Sequence, residues 1–166
     1  MSEQVRTTFL GDFGEYLLAW YLRSRFGINV SLVKGKGIDL LCRDEKGVLF
    51  PKGEYVAVGV RTRERRKDKI HETVNVKWDK IEKASEKWGA KPYLAYIRIV
   101  PENGDITFFL LPLSKARTYG KNFNVGKAEH EPSNILFKME FEPFKRLPGW
   151  EEPDNFTEPK PLLSNI

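Results

Sequence analysis

The chain has 166 residues, of which 40% are hydrophobic and 13% aromatic, so one packed domain is expected and general disorder is excluded. No apolar run approaches the roughly 20 residues of a membrane-spanning helix, and the N-terminus lacks a basic-then-apolar secretory signal. A cytoplasmic protein without membrane contacts is therefore expected. Cys42 is the single cysteine, which excludes an intrachain disulfide and a zinc site of several thiolates. A catalytic metal would be a hard cation held by oxygen atoms.

The net charge of +5 is unevenly distributed. From residue 142 onward there are five acidic and three basic residues, so residues 1–141 carry a net charge of +7. A positive body indicates an anionic partner, nucleic acid before a membrane surface, although charge alone equally fits a role in solubility. We expect two parts: an α/β domain over residues 1–141, and a proline-rich acidic tail over residues 142–166 that docks loosely or stays mobile.

The first predicted element is a helix over residues 9–26. Apolar residues recur there at helical spacing, and Gly27 stands where a helix often ends. These apolar residues are Phe9, Phe13, Leu17, Trp20 and Tyr21. Strand-like runs follow at 28–33, 38–43 and 55–63, separated by short connections rich in glycine and charge, which together predict an antiparallel meander.

A second helix is predicted over residues 76–88. Ile81, Ala84 and Trp88 form its apolar stripe, with Trp88 expected in the core, and Trp78 is expected to pack at its start. Two further strands are predicted over 93–100 and 106–113, joined by a turn at 101–105. A last alternating run at 135–141 predicts an added edge strand. This order of helices and strands predicts an α/β fold with a mixed central sheet.

One aspartate stands out on the second predicted strand. Ile38, Leu40 and Cys42 can face the core, which leaves Asp39 on the other side. On the next strand Val56, Val58 and Val60 take the core face, so residues such as Gly59 and Arg61 can neighbour Asp39 across the hairpin. Glu15, on the first helix beside Gly14, can reach the same place.

These segments resemble the PD-(D/E)xK nucleases, which have a restriction endonuclease-like fold. The resemblance is carried by Gly14-Glu15 on a first helix, by Gly37-Ile38-Asp39-Leu40-Leu41 on a strand, and by Val58-Gly59-Val60-Arg61-Thr62-Arg63 on the next. The stretch from Ile81 to Ala95 adds a helix that ends in glycine and leads into a Lys-Pro-aromatic strand. Within the superfamily the sequence is most similar to archaeal Holliday-junction resolvases, over roughly residues 9–113.

The resemblance implies a fold, a metal and a set of roles. It implies a mixed sheet flanked by helices, Mg²⁺ as cofactor, DNA as substrate and a homodimer. Asp39 and Glu15 match the metal-binding carboxylates, whereas Gly59 stands at the acidic position of the E-x-K motif and Arg61 stands at its lysine. Glycine has no side-chain ligand, although its carbonyl oxygen can bind metal. Arginine keeps the charge but is a poor base. The motif is therefore degenerate.

A basic run follows the third predicted strand, where a nuclease meets the phosphate backbone. The residues expected to bind nucleic acid are Arg61, Arg63, Arg65, Arg66, Lys67 and Lys69, together with Lys34 and Lys36 from the connection before Asp39. The alternative for such a run is simple solvation.

Two hypotheses follow from these observations. The first is a nucleic-acid-binding protein, DNA before RNA, that is a Mg²⁺-dependent endonuclease or has lost that activity. The second is a catalytically inactive module that binds a protein partner.

Overall fold

The computed structural model describes residues 2–35 and 37–140. Its strands are β1 (Asn29–Leu32), β2 (Leu40–Arg43), β3 (Tyr55–Glu64), β4 (Thr73–Val74), β5 (Lys91–Val100), β6 (Asp105–Pro112), β7 (Phe123–Asn124) and β8 (Ile135–Glu140). Its helices are α1 (Glu3–Phe26), α2 (Trp78–Lys87), α3 (Leu113–Arg117) and α4 (Val125–Glu129). Lys36, Phe141 and the predicted tail lie outside the described residues.

Six strands form the central sheet in the order β1-β2-β3-β5-β6-β8. The pair β3 and β5 is parallel, and the other neighbours are antiparallel. Parallel neighbours need a crossover, and α2 supplies it between β3 and β5. The predicted α/β fold with a mixed sheet flanked by helices is confirmed. The predicted edge strand is also confirmed, because β8 pairs with β6 at the end of the sheet.

Both faces of the sheet are covered. Leu18 and Leu22 of α1 pack with Val58 in one core cluster, whereas Ile81 of α2 packs with Ala57 in the other. The predicted alternation in β3 therefore assigns residues to the correct faces of the sheet. The second face is buried as well, because α2 covers it. A strand with helices on both sides loses the clear polar face that simple alternation predicts.

The first helix is longer than predicted. It begins at Glu3, where the side chain of Ser2 accepts a hydrogen bond from the backbone N–H of Val5, and it ends at Gly27 with φ of 64°. The N–H of Gly27 donates to the carbonyl of Arg23, which is the expected glycine cap. Most of the apolar residues that predicted this helix are exposed, because the face turned to the sheet carries Leu18, Leu22 and their neighbours instead.

Other differences lie at the ends of elements and in the later third of the domain. Trp88 was expected in the core, and this is wrong: it is 50% exposed, because α2 ends at Lys87 and Trp88 is its capping residue. Trp78 begins α2 as expected, and its indole N–H donates to the carbonyl of Lys121 at 2.8 Å. The short elements α3, β7 and α4 were not predicted. No helix among the described residues is both long and apolar enough to cross a membrane.

Candidate nucleic-acid interface

Asp39 lies immediately before β2, held against β3 by two hydrogen bonds. Its backbone N–H donates to the carbonyl of Val58 at 2.9 Å, and its carboxylate Oδ2 accepts from the N–H of Val60 at 2.6 Å. These bonds bracket Gly59. Leu40 of β2 pairs with Val58 of β3, and in the same antiparallel register the next residues, Asp39 and Gly59, lie opposite each other. The predicted juxtaposition of these two positions is therefore present.

Glu15 reaches the same place from α1. Its neighbour Gly14 is buried directly against Thr62, and a Cβ on Gly14 would collide with the Thr62 hydroxyl. This close approach of helix and strand brings the Glu15 side chain close enough to Asp39 for the charge of that carboxylate to act on it. Burial, followed by the negative charge of Asp39, raises the pKa of Glu15 to about 7. Burial also raises the pKa of Asp39, against the opposing effect of the Val60 N–H. Since both pKa values are raised, the two carboxylates resist carrying two full negative charges at once.

The space that an acidic side chain at residue 59 would occupy is filled by a side chain of α2. A Cβ built on Gly59 would lie 2.7 Å from Cδ1 and 3.0 Å from Cγ1 of Ile81, which is fully buried. A longer side chain at residue 59 would need the same space. Neither Glu54 nor Glu64 compensates, since Glu54 is paired with Lys91 at 2.6 Å and Glu64 with Arg6 at 2.7 Å. Gly59 and Ile81 thus form one packed unit.

The positive charge beside the carboxylates comes from Arg61. Its Nη1 lies 3.7 Å from Oδ2 of Asp39 and donates to the carbonyl of Val60 at 2.7 Å. In the described parts of the chain, no three His, Cys, Asp or Glu side chains are grouped so that they could hold a metal ion. With two carboxylates, a closed third position and a guanidinium already at Asp39, the residues present do not fit the magnesium site that the resemblance implies.

Arginines follow one another along the end of β3 and the next loop. Arg65 is paired with Glu72 at 2.9 Å, and Arg66 with Asp68 at 3.2 Å. Arg63 differs: its side chain donates to the carbonyl of Thr62 at 2.8 Å and pairs with no carboxylate of the described residues. Burial and then the nearby Arg65 lower the pKa of Arg63. A partly buried cation is therefore held among other cations.

These arginines open onto a cleft of about 620 Å³ between the start of α1 and the end of β3. Its charged lining residues are Arg6, Arg63, Arg65, Arg66, Glu3, Glu64 and Glu102. Arg66, Lys67 and Lys69 extend the positive surface beyond it as exposed side chains, and Lys34 is exposed on the connection that leads to Asp39. Lys36, the other lysine predicted to bind nucleic acid, lies outside the described residues.

Sequence reasoning missed three contributors to this region. Ile81 was assigned only to the core, Thr62 was not connected with Gly14, and Arg6 lay before the predicted start of the helix. The last had a readable signal, because Ser2 followed by an acidic residue is a common helix start. The first two depend on which residues meet across elements.

A scan against models of known protein families finds no match for this chain. A search of curated proteins by sequence also finds none. The chain is similar in structure to a Holliday junction resolvase. That protein is Hjc of the archaeal hyperthermophile Archaeoglobus fulgidus, with a TM-score of 0.47 and 16% identity over 78% of this chain and 90% of the other.

Proposed function

We propose that this protein binds nucleic acid, DNA before RNA, through phosphate contacts of the arginines at the end of β3, and that it does so without a bound metal. The observation that best supports this proposal is Arg63, a partly buried guanidinium next to Arg61 and Arg65 that has no carboxylate partner among the described residues. A phosphate oxygen would supply the missing anion, and a guanidinium can bind two phosphate oxygens at once.

The neighbouring groups support a binding role over a catalytic one. Arg61 brings positive charge to Asp39. A guanidinium keeps its protons in proteins, so it has no lone pair with which to act as a base. Glu15 is partly protonated near pH 7, which reduces the repulsion between the carboxylates and an approaching phosphate. The role of these side chains is to set the local charge and to hold β2, β3 and α1 together.

Binding can be measured by fluorescence anisotropy on linear duplex DNA, four-way-junction DNA and matched RNA, over a salt series, with EDTA or with Mg²⁺ or Mn²⁺. Replacing Arg63 with glutamine, or Arg65 and Arg66 together with alanine, should weaken binding. The slope of log affinity against log salt should fall by about 0.9 for each lost duplex phosphate contact. EDTA should leave the affinity unchanged.

Lys46→Ala is the matched control, because Lys46 is an exposed cation in the turn before β3. The length of β3 separates it from Arg63 by roughly 25 to 30 Å, so its loss should leave the salt slope unchanged. Unchanged affinity in both arginine variants would refute the proposed interface. Cleavage that requires Mg²⁺ or Mn²⁺ and disappears in Asp39→Ala would refute metal independence while leaving the binding surface in place.

The second hypothesis, a module that binds a protein, is favoured by a different observation. The outer face of α1 exposes several large aromatic side chains, which a surface used only for nucleic-acid phosphates does not need.

A further inference from the structure

A run of basic side chains lies at the end of β3 and in the loop that follows it. Arg66, Lys67 and Lys69 are exposed. Arg66 has a carboxylate of the same loop 3.2 Å away, whereas neither lysine forms an ion pair with a carboxylate of the described residues. The same holds for the partly buried Arg63. We call Arg63, Arg65, Arg66, Lys67 and Lys69 the basic run. Part of its positive charge therefore has no counter-charge in the described domain.

The opposite charge is concentrated in the sequence that follows β8. Residues 151–158 contain four acidic residues and no lysine or arginine. The four are Glu151, Glu152, Asp154 and Glu158. We call residues 151–158 the acidic segment. The three basic residues of the predicted tail lie outside it. In charge, the acidic segment therefore complements the basic run.

The last described residue lies close to the basic run. In the register of the sheet, Met139 of β8 lies level with Glu64 at the end of β3, with β5 and β6 between them. Three strand spacings of about 4.8 Å place these two residues roughly 15 Å apart. Glu140 and Lys67 also line one cavity of about 510 Å³. The chain thus leaves the domain beside the cations of the loop after β3.

The connection is long enough for the two charged stretches to meet. Ten residues, 141–150, join Glu140 to the acidic segment. An extended chain covers at most about 3.3 to 3.6 Å per residue, so the eleven steps from Glu140 to Glu151 reach up to about 36 to 40 Å. This is more than twice the roughly 15 Å across the sheet. Contact therefore requires no change in the fold of the described domain.

We propose that the acidic segment binds the basic run of its own chain and competes there with nucleic acid. The inference rests on the proposed function, because the competition is for the same arginines. Carboxylate oxygens accept the charge-assisted hydrogen bonds from guanidinium and ammonium groups that phosphate oxygens also accept. The acidic segment thus regulates the affinity of this surface for nucleic acid.

The density of charge makes the acidic segment the weaker ligand of the two. Eight extended residues span about 26 Å, so the four carboxylates give about one charge per 6.6 Å. One strand of duplex DNA carries about one charge per 3.4 Å. Nucleic acid with its denser charge can therefore displace the acidic segment, which acts as a competitor and does not block the surface permanently.

The size of the effect follows from the tether. As a free ligand, the acidic segment is expected to bind with a dissociation constant on the order of 10⁻⁴ M, the weak end of non-specific DNA binding. A connection of this length gives an effective concentration on the order of 10⁻³ M. The ratio of these values means that about nine in ten molecules have the basic run occupied, which weakens nucleic-acid binding about tenfold at low salt.

The contact is tested on the full chain without nucleic acid. A nitroxide label is attached through Asn155→Cys in the acidic segment, and Cys42 is buried and should not react. The amide NMR signals of residues 63–69 should be broadened at about 50 mM salt and should recover at about 0.5 M, because salt screens exposed charges. Absence of broadening would overturn the inference. Equal broadening when the label and the isotope are on different copies would also overturn it.

Competition is tested by fluorescence anisotropy on duplex DNA. The variant Glu151→Gln, Glu152→Gln and Asp154→Asn should bind about five- to tenfold more tightly than the wild type at about 50 mM salt. Its slope of log affinity against log salt should be steeper, since DNA no longer has to displace the acidic segment. The difference between the two proteins should therefore shrink as the salt concentration rises.

The matched control neutralises three exposed carboxylates near the other end of β3, with Glu45→Gln, Glu54→Gln and Glu86→Gln. Both triple variants change the net charge equally, but the control should shift DNA affinity by less than about twofold. An equal gain in both would overturn the inference in favour of overall charge. If the arginine variants leave DNA affinity unchanged, the proposed function fails, while the broadening still reports whether the acidic segment binds the basic run.

Discussion

The packing of Gly59 against Ile81 can be measured as a coupling energy. A methyl group on residue 59 would lie 2.7 Å from Ile81 Cδ1, closer than real side chains approach. Forcing an extra carbon into such a core costs about 1 to 3 kcal/mol. Ile81→Val removes Cδ1 and should cost about 0.5 to 1.5 kcal/mol by itself. With Cδ1 gone, the cost of Gly59→Ala should fall below about 1 kcal/mol, so we expect a coupling of about 1 to 2 kcal/mol.

The assay is urea unfolding of the wild type, both single variants and the double variant, read as changes in the midpoint at constant slope. Gly11→Ala is the control, because a Cβ on Gly11 meets nothing within 4 Å. This control should stabilise α1 by about 0.5 to 1 kcal/mol and should be additive with Ile81→Val. If Gly59→Ala is also additive with Ile81→Val to within about 0.5 kcal/mol, Ile81 does not block the space for a side chain at residue 59.

Two further predictions concern titrating carboxylates. Because the pKa of Glu15 is about 7, DNA affinity should fall as the pH rises through that value and Glu15 becomes charged. Between about pH 6 and about pH 8 the fall should be three- to tenfold, and anisotropy on Glu15→Gln should show it abolished; an unchanged pH profile would contradict the placement of Glu15. Asp44 is buried, which alone would raise its pKa, but hydrogen bonds from four backbone N–H groups lower that pKa overall. Asp44→Ala should therefore lose about 3 kcal/mol of stability in urea unfolding at about pH 7. This contribution is fully present above the unfolded pKa of about 3.9 and is lost as the pH falls through the lower folded pKa, so the difference in stability between the two proteins should narrow below about pH 4; a constant difference would refute the role of the charge.

The strands of the sheet could be predicted from the sequence, because the patterns that indicate a strand or the end of a helix lie within short stretches of the chain. Alternation along β3 set which residues share a face, and the positions of Gly27 and Gly89 marked where helices stop. The order of a helix, three strands, a second helix and two more strands limited the fold to a mixed α/β sheet. That Asp39 and residues such as Gly59 share a side of the sheet also followed from alternation, whereas the pairing of Asp39 with Gly59 across the long connection between β2 and β3 did not.

Features that depend on contacts between distant segments were decided only by the tertiary structure. Helical spacing shows that Phe9, Phe13 and Trp20 share a side of α1, but which side meets the sheet depends on the larger buried surface around Leu18 and Leu22. In the same way, Gly59 reads as a missing ligand in the sequence, whereas α2 shows that Ile81 fills its place. Side-chain periodicity is a property of one element, whereas burial and charge pairing are properties of the elements that meet.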